Sequence, residues 1–247
     1  MKIYVGGAIW RQVELAHMKD LVPLLRQPGV GYGPVQGDAL IDRARGISAS
    51  HFLRSSDADV HLSIDSDITG FTIEDVIKLC ESAMTYDIVA GVYVCRSANR
   101  TFPTSYYKEG VRVEHAFDHT PIEVEWAATG FMAVHRRVFQ KLSHELPLLH
   151  EKGIGIPAFY PFYLPTIYSD AAEGPIELSE DYAFCEKAKG AGFRIYIDPA
   201  IRLGHIGTYT YRLEDIAQAQ VDPQPLAITR EGSRWRVESL ERETVNA

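Results

Sequence analysis

Three consecutive segments constrain the fold most. Val60 to Ile64 is an apolar run with strand character, Thr72 to Met84 is amphipathic, and Ile88 to Val94 is a β-branched run bounded by Asp87 and Arg96. In the middle segment Ile73, Val76, Ile77 and Cys80 recur at the spacing of one helix face. Thr72 and Asp75 have the spacing of a capping box at its start. Strand, helix and buried strand in succession predict an α/β domain with a parallel or mixed sheet covered by helices.

The flanking sequence extends the pattern. Ile3 to Val5 reads as a first strand ended by Gly6-Gly7, and Val13 to Leu25 and Ala39 to Ser55 read as helices. Gln27 to Gly37, rich in Gly and Pro, reads as a loop. In the helix over 39–55, Leu40, Ala44, Ile47 and Leu53 fall roughly on one side. Further on, Val111 to Val113 and Ile122 to Glu125 suggest a small antiparallel element. Phe131 to Val134 predicts a strand, and Arg136 to Leu142 and Glu180 to Lys189 predict helices, the last with Ser179 as N-cap. Phe193, Ile195 and Ile197 alternate as a strand that Asp198-Pro199 turns. Ala227 to Thr229 and Trp235 to Val237 flank Glu231-Gly232 as a terminal hairpin. Pro147 to Pro175 holds five prolines and several aromatics without a period, and reads as a long functional loop.

Composition bounds the function. The 247 residues fit one large domain or a domain with an appendage, and 46% hydrophobic content supplies a sizeable core. A net charge of −8 argues against a chain whose whole surface grips nucleic acid. Cys80, Cys95 and Cys185 are far apart and form neither a zinc spacing nor a disulfide framework, which favours a reducing, cytoplasmic setting. No apolar run approaches the roughly 20 residues that span a bilayer. The opening Met1 to Gly7 reads as a strand plus turn, too short for a signal sequence.

Asp65-Ser66-Asp67 follows the strand over 60–64. Two carboxylates one residue apart just past a strand end can converge on a hard divalent cation, and open α/β sheets place ligands there. The same residue types are also ordinary turn formers. Glu180 and Asp181 fall in the first turn of a helix, where the helix dipole favours their ionised form. They are ordinary N-terminal helix charges or a general base with a charge stabiliser. His205, between Gly204 and Ile206-Gly207, can present a ring nitrogen to a metal, although a lone histidine is more often surface or core. Asp42 and Arg45 stand one helix turn apart and either pair with each other or leave Arg45 for a diphosphate. Trp126 to Phe131, with Gly130, suits either close approach to a ligand or core packing.

Taken in order, Asp42-Arg43-Ala44-Arg45, Leu62 to Ile68, Ala128 to Val134, Leu178 to Tyr182, Gly192 to Pro199 and Gly204 to Gly207 resemble the motifs of a GT-A-fold glycosyltransferase of the family-2-like, nucleotide-diphospho-sugar group. The resemblance covers roughly residues 1–210. It implies a Rossmann-like GT-A fold: a mixed, mainly parallel central sheet flanked by helices, with a small antiparallel element and a C-terminal hairpin. It implies a nucleotide-binding half over 1–100, an acceptor half over 101–210, and an extension over 211–247. By position Asp65 and Asp67 match the DxD metal motif, with His205 completing a site for Mn²⁺ or Mg²⁺. Asp181 matches the base of inverting members, with Glu180 beside it. Gly6, Gly7, Ala8, Trp10, Asp42, Arg45, Asp65, Ser66 and Gly130 are the expected donor-binding positions. Gly46 follows Arg45 where many members have Asn.

The expected activity is metal-dependent transfer of a sugar from a UDP- or GDP-sugar to an acceptor hydroxyl. The acceptor is open: glycan, lipid, protein, small molecule or modified nucleic acid. One alternative is a nucleotidyltransferase that makes nucleotide sugars, but Gly6-Gly7-Ala8-Ile9 lacks basic residues for a triphosphate. Another is a catalytically silent nucleotide- or sugar-binding module.

Overall fold

The computed structural model describes the chain apart from residues 97–101, 105–106, 109–110, 113–119, 151, 153–154, 171–173, 208–209, 212–225, 232–233 and 240–247. β1 (Ile3–Gly6) and β2 (Ala8–Ile9) lead to α1 (Leu15–Leu25). β3 (Val30–Tyr32) and β4 (Val35–Gln36) precede α2 (Ile41–Ser55). β5 (Val60–Ile64) and β6 (Ile68–Thr69) precede α3 (Ile73–Tyr86), and β7 (Ile88–Val92) follows. Then come β8 (Tyr107–Lys108), β9 (Val111–Arg112), β10 (Ile122–Val124), β11 (Phe131–His135) and α4 (Arg136–Glu145). β12 (Thr166–Asp170), β13 (Gly174–Leu178), α5 (Glu180–Gly190), β14 (Ile195–Arg202), β15 (Gly204–Ile206) and β16 (Thr210–Tyr211) follow, and β17 (Leu226–Glu231) pairs with β18 (Arg234–Ser239) as the expected hairpin.

A seven-stranded sheet in the order β10-β14-β7-β11-β5-β1-β3 forms the centre. β3, β1, β5, β7 and β14 run one way. β11 lies antiparallel between β5 and β7, and β10 is antiparallel at the edge. Period-two alternation sends side chains to both faces. Ile3, Val5, Leu62, Val89, Phe131 and Ala133 join one core with Leu21 of α1 and Leu79 of α3. Tyr4, Ala90, Met132 and Val134 join the other with Phe52 of α2, Phe139 of α4 and Phe184 of α5.

The capping box at α3 is complete: Thr72 Oγ1 accepts from the Asp75 amide at 3.1 Å, and Asp75 Oδ2 accepts from the Thr72 amide at 2.8 Å. The face turned inward is Val76, Leu79, Cys80 and Ala83, and Ile77 stays exposed. In α2 the buried stripe is made of small residues around Ala44 and Ala49, and Leu40 stands exposed outside the helix start.

Four readings need correction. Residues 27–37 contain β3 and β4, two short strands flanked by Pro28 and Pro34, with β3 at the edge of the central sheet. Residues 147–175 are not one loop: Phe162 and Tyr163 are fully buried in the core, and β12 and β13 form a hairpin. β14 continues through Asp198-Pro199, where its register with β7 shifts in a bulge that accommodates the proline. β9 pairs with β8 while β10 joins the edge of the central sheet beside β14, so residues 111–112 and 122–124 do not share one small element. Ser179 stands at the N-cap of α5 as expected, without a side-chain capping bond. Val113 lies outside the described residues.

Candidate active site

The carboxyl end of β5 delivers Asp65, Ser66 and Asp67 into a tight turn, closed by the Ile68 amide donating to Asp65 O at 3.0 Å. The Asp65 amide donates to Gly130 O at 2.9 Å, which ties the turn to the start of β11. A Cβ on Gly130 would stand 2.4 Å from the Tyr93 hydroxyl and 3.1 Å from Asp65 Oδ2. A Cβ on Gly7 would stand 2.4 Å from Ile64 O. Close packing around the turn therefore requires both glycines. At Gly6 a Cβ would meet the Ser48 hydroxyl and the His61 ring. Ala8 sits in β2, which pairs with β4, and Trp10 is half exposed beyond it under the Arg11 guanidinium.

The two aspartates face different partners. Arg45, on the first turns of α2, is 7% exposed and donates from Nη1 and Nη2 to Asp65 Oδ1 and Oδ2 at 2.9 and 3.0 Å. Its Nη2 also lies 3.7 Å from Glu180 Oε1 and 3.6 Å from Asp181 Oδ1. Sequence reading paired Arg45 with Asp42 or with a diphosphate; the structure turns it onto three carboxylates from two other elements. Asp42 instead helps line a cleft of about 290 Å³ with Leu40, Arg43, Leu149, Phe159 and Leu164. Asp181 Oδ1 also accepts a short hydrogen bond from the Thr129 hydroxyl. Glu180 and Asp181 occupy the first turn of α5 as expected.

Asp67 faces His205. β15 pairs antiparallel with β6, setting His205 opposite Ile68, and the Ile206 amide donates to Asp67 O at 2.7 Å. His205 Nδ1 lies 2.9 Å from Val94 O. A carbonyl only accepts, so Nδ1 carries a proton, and Nε2 is the ring atom turned to Asp67. Nε2 stands 3.5 Å from Asp67 Oδ2, which also accepts from Arg96 Nη1 at 2.9 Å. Tyr93 packs edge-on against the His205 ring at 5.2 Å between centroids.

Charge is concentrated here. Asp65, Asp67, Glu180 and Asp181 face Arg45 and Arg96, a formal excess of two negative charges. Burial raises the Asp65 carboxyl to about 6 against the pull of Arg45. Burial and then Asp181 raise Glu180. Burial pushes Asp67 up, but His205 and Arg96 outweigh it and hold the carboxyl below its usual value. Burial disfavours the Arg45 charge, yet Asp65, Asp181 and Glu180 together raise its pKa further. Asp65 and Glu180 thus take up a proton more readily than separate exposed carboxylates would.

Asp67 Oδ2 and His205 Nε2 pair with one another, an oxygen and a nitrogen of the types that a divalent ion takes as ligands. Among the described residues no three His, Cys, Asp or Glu side chains converge on one point, since Asp65 is turned to Arg45. Arg96, Thr129 and Tyr93 were missed as site residues. The rule that selected the aspartates, a polar residue just past a strand end, also points to Arg96 beyond β7.

No protein-family model matches the chain, and no curated protein matches it. Among solved structures, A197 from STIV is similar at 17% identity and a TM-score of 0.53, over 84% of this chain and 86% of that one. The crystal structure of GalNAc-T7 with UDP, GalNAc and Mn²⁺ is similar at 13% identity and a TM-score of 0.52, over 86% of this chain. The match spans 44% of the GalNAc-T7 chain, less than half of its length. With these likenesses, the five co-directional strands and the helices on both faces make this chain an α/β protein of GT-A-like fold.

Proposed function

We propose that this protein is a metal-dependent glycosyltransferase that moves a sugar from a nucleotide-diphosphate donor to an acceptor hydroxyl. The observation that carries the reading is the meeting of Asp67 Oδ2 with His205 Nε2 at 3.5 Å, close to Asp65, Glu180 and Asp181 around Arg45. The β6–β15 pairing brings His205 beside Asp67, and this meeting of an oxygen and a nitrogen donor is the place that would hold Mn²⁺ or Mg²⁺. Held by Asp67 and His205, such an ion would supply positive charge to offset that of a departing diphosphate. That GalNAc-T7 was solved with UDP and Mn²⁺ on the same kind of fold agrees with this reading. The donor is then a UDP- or GDP-sugar, laid over the Gly6 to Trp10 segment and Ser66, with its diphosphate towards Asp67.

The chain's own groups supply the rest. Asp181 is the base that takes the acceptor proton. Both of its described contacts, from the Thr129 hydroxyl and the Arg45 guanidinium, fall on Oδ1, and Oδ2 is the oxygen for the acceptor. Glu180 adds negative charge facing the sugar. Beside them Trp126 stacks on Tyr182 at 5.4 Å and meets Tyr168 edge-on at 6.0 Å, apolar ring surface of the kind that packs on sugars. The catalytic unit spans roughly residues 1–210, and residues 211–247 form an extension. No described helix is long and apolar enough to cross a membrane.

Hydrolysis of UDP- and GDP-sugars, measured with and without Mn²⁺, tests the reading. Divalent-dependent turnover is expected, and Asp67→Ala abolishes it while the thermal transition is retained, because Asp67 lies at a strand end outside both cores. An Asp67→Ala protein with wild-type turnover in Mn²⁺ would falsify the assignment.

A further inference from the structure

Arg96 sits where a bound cation would compete with it. Its Nη1 donates to Asp67 Oδ2 at 2.9 Å, the same oxygen that His205 Nε2 faces at 3.5 Å. The same nitrogen donates to Ile206 O at 3.0 Å, on the strand that carries His205. Arg96 follows Val94, whose carbonyl fixes the His205 ring. The three side chains differ in freedom: His205 is 13% exposed, Asp67 26% and Arg96 45%. Asp67 and His205 are held by strand pairing, and Arg96 is the member that can swing.

We propose that Arg96 is a resident cation of the site. It holds Asp67 in the free protein, yields that carboxylate to the divalent ion, and turns its guanidinium onto the donor's diphosphate. This inference rests on the metal-dependent reading above. Two observations lead to it. The Asp67 oxygen that faces His205 Nε2 already accepts from Arg96, so an entering divalent ion meets a like charge on its ligand. The planar, fork-shaped guanidinium suits phosphate oxygens as well as carboxylates, so the displaced group gains a new anion when a diphosphate arrives with the ion. Tight cation binding therefore waits for the donor, and the free site stays largely closed to stray divalent ions.

The test is Mn²⁺ binding to the full chain, followed by electron paramagnetic resonance of free Mn²⁺ without nucleotide. Arg96→Gln is expected to bind Mn²⁺ about 10-fold more tightly than wild type, the scale of removing one neighbouring charge. Arg96→Lys, which keeps the charge, stays near wild type. In a second arm, calorimetry of UDP at saturating Mn²⁺ is expected to show about 10-fold weaker binding to Arg96→Gln. Equal Mn²⁺ affinity in wild type and Arg96→Gln overturns the resident-cation role and leaves the metal reading standing. A variant that gains Mn²⁺ but holds UDP as wild type does overturns the transfer to the diphosphate. If neither protein binds Mn²⁺ with or without UDP, the metal-dependent reading falls together with this one.

Discussion

The Arg45 guanidinium organises the acidic side of the site one side chain at a time. It grips Asp65 with two hydrogen bonds and lies between Glu180 and Asp181, so three carboxylates share one buried positive charge. That leaves Asp181 half-tethered, with Thr129 and Arg45 on the same oxygen. Asparagine in its place keeps a carbonyl oxygen for the Thr129 hydroxyl and loses only the basic oxygen. Asp181→Asn is therefore expected to fold and to bind donor and metal as wild type does, with transfer slowed by at least about 100-fold. Donor affinity and transfer rate measured on the same protein decide it. A normal rate removes Asp181 from catalysis, and a loss confined to donor affinity reassigns it to binding.

Among the elements, legibility followed local pattern. β5, α3 and β11 could be read because their apolar periods match one geometry and their ends carry caps or turns. β3, β4, β12 and β13 could not, since they are short or edge strands with Gly and Pro, and their partners lie elsewhere in the chain. The site divided in the same way. Asp65, Asp67 and His205 were legible as types at strand ends, but a sequence does not say which way a carboxylate turns. That Asp65 chooses Arg45, and Asp67 chooses His205 and Arg96, follows from the packing of α2 and β15. The reading of residues 147–175 as one functional loop narrows likewise, to the β12–β13 hairpin as a candidate lid. Phe162 and Tyr163 are sealed in the core, while Ile167 on the β12–β13 hairpin is 76% exposed. β13 runs into Glu180 and Asp181 with only Ser179 between. Limited proteolysis of the free protein is expected to cut first within residues 166–178, and nucleotide sugar with Mn²⁺ to protect that stretch, because ligand contacts must offset the entropy of ordering it. First cleavage within residues 155–165, or cleavage at the hairpin that ignores ligand, would count against a lid.

At the scale of the whole molecule, two buried imidazoles tie the sheet to its pH range. His61 lies among Tyr4, Phe52 and Phe139, with Nε2 on the Ser48 hydroxyl at 3.2 Å and Nδ1 buried without a partner among the described residues. Burial pushes its pKa down to about 3, and burial also lowers His17. Above about pH 6.5 both rings are neutral in the folded and unfolded chain alike. Below it the unfolded chain takes protons that the folded one refuses, so stability falls as pH drops from there towards 3. For His61 the loss approaches about 1.4 kcal/mol per pH unit within that window. Asp65 and Glu180, whose values are raised, act in the opposite sense, so the readout is a difference between variants. His61→Phe keeps the aromatic packing and is expected to unfold in urea with a shallower pH dependence between pH 4.5 and 6.5. An unchanged dependence would show that His61 does not set the acid limb. The pairing of β15 with β6 has a consequence for synthesis. Asp67 and His205 are separated by more than half the chain, and the strand that joins them is made late. A nascent chain can assemble β1, β5 and their helices first, as N-terminal segments leave the ribosome. Until His205 emerges the nascent chain carries the acidic turn without its histidine, and the β6–β15 pairing that joins them is among the last contacts to form.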